Sequence, residues 1–195
     1  MQPWLDTFRK PDVPPVADLA QRIVKASLGN AEALKVSIQA GDEKDRMLRW
    51  FALVCEFLYF FMHMANRFAY GELGHERRCR MQDRLYPLIV RPTIESVFGH
   101  WPVSLKDKME GEFIEKLGIA ETEYGRCKKL LDSDNPFAGD ALFSKFAGNI
   151  CELLGTDSSE LTDYAQTYMK VRGLATSSFK ELGLLETVRA VGKEL

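Results

Sequence analysis

Polar side chains recur along one face of an otherwise apolar segment, and they are the residues of this chain best placed to do chemistry together. The segment runs from Arg46 to Tyr70. On a helix its polar members fall within one narrow stripe, while Leu, Phe, Met and Val cover most of the remaining circumference. The stripe consists of Glu56, Tyr59, His63, Arg67 and Tyr70. A carboxylate, an imidazole and a guanidinium on one face could supply an acid, a base and an anion clamp.

The same stripe has a structural interpretation, which the sequence favours. Polar groups on so apolar a helix need hydrogen-bond partners, and a satisfied network inside the core would provide them. Glu56 would then pair with a cation, and His63 would donate to a carbonyl group. In either case we expect His63 to be mostly buried.

A second candidate is the basic run HERRCRMQDR, which follows the apolar segment. Arg77, Arg80 and Arg84 occupy positions i, i+3 and i+7 of one helical face. Guanidinium groups arranged in this way could converge on a carboxylate or phosphate, so a small anion is the ligand that this face would take. Because Glu76 and Asp83 lie close by, a solvated surface with ion pairs is the favoured alternative.

The two groups would come together if the chain turned back at the glycines Gly71 and Gly74. In such an antiparallel hairpin, residues whose numbers add to about 146 lie at one height, which places His63 level with Asp83 and Arg84. A pocket would then lie between helix 42–72 and helix 75–98. No nucleophilic Ser or Cys in a recognisable elbow completes a catalytic set, so enzymatic activity stays open.

No complete metal or cofactor motif occurs in the sequence. None of the histidines His63, His75 and His100 lies three or four residues from another, which argues against a helical two-histidine zinc site. One Glu-x-x-His is present, Glu72 to His75, whereas a di-iron bundle needs two. There is also no GxGxxG or GxxxxGK[ST] phosphate loop. The four cysteines include no CxxC pair, which favours buried, reduced thiols. The sequence predicts no metal and no cofactor.

Composition narrows the partners and the location. A net charge of −2 and a pI near 6.0 lack the basic excess of a nucleic-acid-binding protein. Prolines and charges near the N-terminus replace the apolar core of a secretion signal. Glu56, His63 and Arg67 interrupt the apolar segment before it reaches the roughly 20 apolar residues of a membrane span. We therefore expect a cytoplasmic protein with no nucleic-acid or membrane partner.

The elements that must position these residues are helices, since no sustained period-two alternation or hairpin turn suggests strands. The sequence predicts an all-α, single-domain bundle of about seven to nine helices around a long central apolar helix, at about 42–72. Prolines make residues 1–15 an extended N-terminal arm, which leaves 16–195 as the helical domain. Helix ends are predicted at Gly29-Asn30 and Gly118. Pro87 and Pro92 predict a kink or break near Tyr86 and again near Arg91.

Two functions fit this pattern. The leading hypothesis is a helical interaction protein that associates as a homodimer. A helix that is apolar over more than half its circumference needs partners on several sides, which one chain of this size can provide, and leftover apolar surface would favour a two-fold partner. The alternative is a small-molecule-binding protein or enzyme that uses Glu56, His63 and the arginines in a pocket between helices 42–72 and 75–98.

Overall fold

The structure, a computed structural model, describes residues 13–39, 41–130, 141–156 and 161–195. Within these ranges the chain is almost entirely helical, and its β-structure is limited to one isolated bridge between Lys129 and Ala141. The predicted all-α class is confirmed. The predicted arm falls mostly outside the described residues, and its last residue, Pro15, already belongs to the first helix.

The described residues form six α-helices, fewer than the seven to nine predicted. In chain order they are α1 (Pro15–Leu34), α2 (Glu43–Phe98), α3 (Val103–Gly125), α4 (Leu142–Leu154), α5 (Leu161–Leu182) and α6 (Leu184–Gly192). A short 3-10 helix, Lys35–Ser37, follows α1.

The predicted number of helices is too high because glycines at two predicted helix ends lie inside continuous helices. Helix α1 runs through Gly29-Asn30, and α3 runs through Gly118. A glycine inside a helix costs only about 1 kcal/mol, which tertiary packing can outweigh. In α1 the packing includes buried Asn30, whose Nδ2 donates to Ser178 Oγ of α5 at 2.9 Å.

Helix α2 is a hairpin of two arms, 43–73 and 75–98, joined at Gly74. This glycine is the one non-helical residue of α2, with φ 76° and ψ 177°. The rings of Phe51 and Phe98 meet at a centroid distance of 4.8 Å, which shows that the second arm returns alongside the first. The predicted antiparallel hairpin is confirmed.

The second arm is helical through Pro87 and Pro92, so a break at either proline is wrong, while a kink there stays a prediction. Each proline removes the amide donor for the carbonyl group four residues earlier. Those carbonyl groups belong to Asp83 and Leu88, which are exposed residues, as are the prolines themselves. Water can therefore replace the lost hydrogen bonds without a break in the helix.

The first arm of α2 is the centre of the fold, as predicted for helix 42–72. Helices α1, α3, α4 and α6 all pack against α2. Phe60 lies at the middle of an aromatic cluster, where its ring contacts those of Phe61, Tyr124, Phe143 and Phe146. The core therefore joins the first arm to α3 and α4.

By length and composition the first arm could also cross a membrane, despite its polar stripe. Its most apolar window of 18 residues has a mean hydropathy of 1.3, and 56% of that window is buried within the fold. The core helix of a soluble protein meets the same criteria, so this property is weak evidence for a membrane.

Candidate functional site

Most of the polar stripe faces α3 and α4. Its exposed end, Tyr70, instead has its ring centroid 5.6 Å from Arg78 Cζ of the second arm. Glu56 accepts hydrogen bonds from the Tyr124 hydroxyl and from Asn149 Nδ2, the latter at 2.8 Å. Both bonds end on Oε1 of Glu56, and no donor among the described residues reaches Oε2. Burial raises the pKa of the Glu56 carboxyl by more than these hydrogen bonds lower it.

His63 lies two helical turns after Glu56 on the same stripe, and it also pairs with a residue of α3. Its Nδ1 lies 2.8 Å from Glu121 Oε2, and Asn66 Nδ2 donates to the same oxygen at 3.2 Å. His63 is 5% exposed, so its predicted burial is confirmed. In the described part of the chain His63 Nε2, Asn66 Oδ1 and Glu121 Oε1 are buried without hydrogen-bond partners.

The remaining stripe residues have structural contacts. Arg67 donates from Nη1 to the Cys127 carbonyl at 3.0 Å and from Nη2 to the Lys128 carbonyl at 3.3 Å. Arg67 therefore holds the chain segment just after α3 against the first arm. The sequence alone suggests an anion clamp for this residue. Tyr59 is buried with its ring 4.8 Å from that of Phe113, whereas Tyr70 is exposed.

The three arginines of the basic face lie on the second arm of α2. Arg77, Arg80 and Arg84 are all exposed. Arg80 pairs with Glu76 and donates weakly to the Leu195 carbonyl at 3.5 Å, and no ion pair within the described ranges involves Arg77 or Arg84. The exposure of these arginines and the Arg80–Glu76 pair agree with a solvated surface, and binding of a small anion by this face stays a prediction.

The predicted contact of His63 with Asp83 and Arg84 is wrong. The hairpin exists, but Asp83 and Arg84 point to solvent while His63 is buried against Glu121. Equal height along two arms does not bring side chains together when they lie on different faces.

Replacing Arg77, Arg80 and Arg84 together by Gln is expected to change the free energy of unfolding by less than about 1 kcal/mol, because exposed ion pairs contribute little. Urea denaturation of the triple variant and the wild type measures this difference. A loss well above that value would show that the arginines neutralise buried carboxylates.

Sequence reasoning missed the partners of the stripe, which are Glu121, Tyr124 and Asn149. One signal was available. Phe113, Leu117, Ala120 and Tyr124 recur at helical spacing and are all buried in α3. That pattern continues through Gly118 and indicates one long helix, with a tyrosine on its apolar face.

A pocket of about 360 Å³ lies between the first arm of α2, helix α3 and the end of α4. Four aromatic rings line it, those of Phe51, Tyr59, Trp101 and Phe113. Its charged lining residues are Glu56, Glu112 and Lys116. Glu56 thus lines a pocket on the α3 side of the first arm, and neither His63 nor any residue of the second arm is among the residues that line it.

Cys55 also lines this pocket, but it is a poor nucleophile. Burial raises the pKa of its thiol to about 12, so the reactive thiolate is scarce at neutral pH. Cys55 therefore does not supply this pocket with a reactive nucleophile at neutral pH. Among the described residues there is also no cluster of three or more His, Cys, Asp or Glu that could hold a metal ion.

Comparison with known proteins adds no further constraint. No protein family, no curated protein and no solved structure matches this chain. The function has to be argued from the geometry of the pocket.

Proposed function

We propose that this chain is a small-molecule-binding protein whose ligand occupies the pocket between α2, α3 and α4. The ligand class that fits is a small apolar body carrying one amine. The observation that carries the proposal is the Glu56 carboxyl group, held in an aromatic pocket with Oε1 bonded to the protein and Oε2 without a donor in the described structure.

The size and walls of the pocket support this ligand class. A volume of 360 Å³ falls within the range of about 300–1,000 Å³ that small-molecule pockets occupy. Aromatic rings favour an apolar body, and their faces attract cations. Glu112 pairs with Lys108 at 3.8 Å, so the feature of the lining that favours a positive ligand is the Glu56 oxygen without a donor in the described structure.

The energetics of Glu56 also support binding. Ionising a carboxyl group whose pKa is raised by burial lowers the stability of the folded protein at neutral pH. A glutamine would keep an acceptor oxygen for Tyr124 and Asn149 without that cost. Residues that reduce stability in this way are typical of functional sites.

The test is Glu56→Gln with phenethylamine as the probe. We expect the wild type to bind phenethylamine in isothermal titration calorimetry and the variant to bind at least about tenfold more weakly, since a desolvated cation loses its charged partner. Phenethyl alcohol, which has the same ring and chain without the charge, should bind both proteins weakly and equally. Absence of phenethylamine binding by the wild type, or equal binding by both proteins, would overturn the proposal.

The same variant has an expected effect on stability that depends on pH. Because the folded-state pKa of Glu56 is raised, the wild type loses stability as pH rises from the ordinary value of 4.5 through the raised value. Glu56→Gln should therefore melt higher than the wild type at pH 8, by roughly 2–4 °C for each kcal/mol gained. The gain should disappear below the ordinary pKa. Glu112→Gln, at an exposed position of the same pocket, is the matched control and should not change the melting temperature.

Self-association and a cytoplasmic location remain predictions. The argument for a dimer was leftover apolar surface on the central helix. Of the large apolar residues that are exposed in the described structure, only Leu48 and Tyr70 lie on the first arm. Packing within one chain thus accounts for most of that surface, and a binding function does not require a second copy.

A further inference from the structure

A second cavity, of about 610 Å³, lies at the open end of the α2 hairpin. It is open to solvent on one side and lined by the end of α1, the first residues of α2 and the last turn of the second arm. Leu28, Met47, Trp50 and Val97 give it apolar walls. It shares no lining residue with the pocket that contains Glu56. It is therefore a separate place where a ligand could bind.

The charges around this cavity are mostly positive. Lys35, Lys44 and Arg46 line it, against the single carboxylate of Glu43. Arg46 Nη1 pairs with Glu43 at 3.1 Å, which leaves the two lysines as the excess charge. Lys44 has no ion-pair partner among the described residues.

Lys35 is held over the cavity wall. Its Nζ lies 5.6 Å from the centroid of the Trp50 ring and 3.5 Å from Glu32, in an ion pair whose side chains are both about half exposed. An exposed pair of this kind is weak and can open at little cost. The Lys35 ammonium is thus available to an anion beside the indole ring.

We propose that this cavity binds an amphipathic anion, a molecule with an apolar body and a single carboxylate or phosphate head. The apolar body would lie against Met47, Trp50 and Val97, and the head would lie between Lys35 and Lys44. An apolar cavity rimmed by two cations without strong partners is complementary to this chemistry and not to a neutral or cationic molecule. The occupant is a free molecule of the fatty-acid type.

The first experiment uses octanoate as the probe and octanol as its uncharged counterpart. We expect octanoate to bind at least about tenfold more tightly than octanol, because only the carboxylate meets the lysines. Occupancy should also shift the indole N–H resonance of Trp50 in a proton–nitrogen NMR spectrum, with Trp50→Phe used to assign the signal. Equal binding of the two probes, or an unmoved Trp50 resonance at saturation, would overturn the proposal.

The second experiment separates this site from general attraction to positive charge. Lys35→Gln with Lys44→Gln should weaken octanoate binding at least about tenfold. Lys170→Gln with Lys180→Gln removes the same charge from exposed positions of α5, outside the cavity, and should leave affinity within about twofold. Equal losses in the two double variants would contradict a defined site. Binding to phosphatidylglycerol vesicles without binding to octanoate would also overturn the proposal, since it would assign the charge to a membrane surface.

The octanoate experiments test the second cavity independently of the function proposed for the pocket that contains Glu56. Glu56→Gln should leave octanoate binding unchanged, because Glu56 does not line the second cavity. Failure to bind phenethylamine and failure to bind octanoate therefore report on different sites.

Discussion

Gly74→Ala is expected to lower the free energy of unfolding by about 2–3 kcal/mol, although the new methyl group would meet no other atom. Gly74 has φ 76° and ψ 177°, a conformation that is essentially restricted to glycine. No atom lies within 4 Å of a Cβ built at this position, so the whole cost is backbone strain. Urea denaturation of the variant and the wild type measures it.

Gly71→Ala is the matched control, since it adds the same methyl group three residues earlier in the first arm. Gly71 is helical and exposed, and a Cβ there also meets nothing within 4 Å. Alanine in a helix interior is more favourable than glycine by about 0.5–1 kcal/mol, so this variant should be more stable than the wild type. If the two substitutions changed stability in the same direction, the turn of the hairpin could not be at Gly74.

The hairpin could be predicted from sequence because its signals are local. An apolar run, two glycines and a charged run follow one another, and short connections favour antiparallel neighbours. The prolines of the second arm gave a false signal of a break. Their effect depends on whether Asp83 and Leu88 face water, and that is decided by how the arm packs, which local sequence does not show.

The burial of the polar stripe could also be predicted, but its partners could not. Helical periodicity identifies Glu56 and His63 as one face of a core helix. The partner of His63 is Glu121, 58 positions along the chain, and the partner of Glu56 is Tyr124, 68 positions along the chain. Sequence reasoning chose the next helix in order, whereas the stripe packs against α3. The pocket was missed for the same reason, since α3 and α4 supply much of its wall.

His63→Ala is expected to lower the free energy of unfolding by about 2–3 kcal/mol, because it leaves the half-buried Glu121 carboxylate poorly paired and opens a small cavity. In the wild type Glu121 Oε2 accepts two hydrogen bonds, one from His63 Nδ1 at 2.8 Å and one from Asn66 Nδ2 at 3.2 Å. Glu121 Oε1 already lacks a partner among the described residues. Without the imidazole, Glu121 keeps only the longer of its two hydrogen bonds. Chemical denaturation measures the loss.

His75→Ala is the control, because His75 is exposed on the second arm and its removal should change stability by less than about 0.5 kcal/mol. Glu121→Gln should cost less than His63→Ala, since its amide keeps an acceptor oxygen for the His63 N–H.

Ligand binding by His63→Ala decides between the two roles of the stripe. His63 does not line the pocket of Glu56, so the variant should bind phenethylamine as the wild type does wherever it remains folded. A variant that kept its stability but lost binding would instead make His63 a site residue and would place the ligand deeper between α2 and α3. If His63→Ala loses stability but still binds phenethylamine, the residues of the stripe have two different roles. Glu56 would then serve the ligand, while His63 joins the helices that hold the pocket in shape.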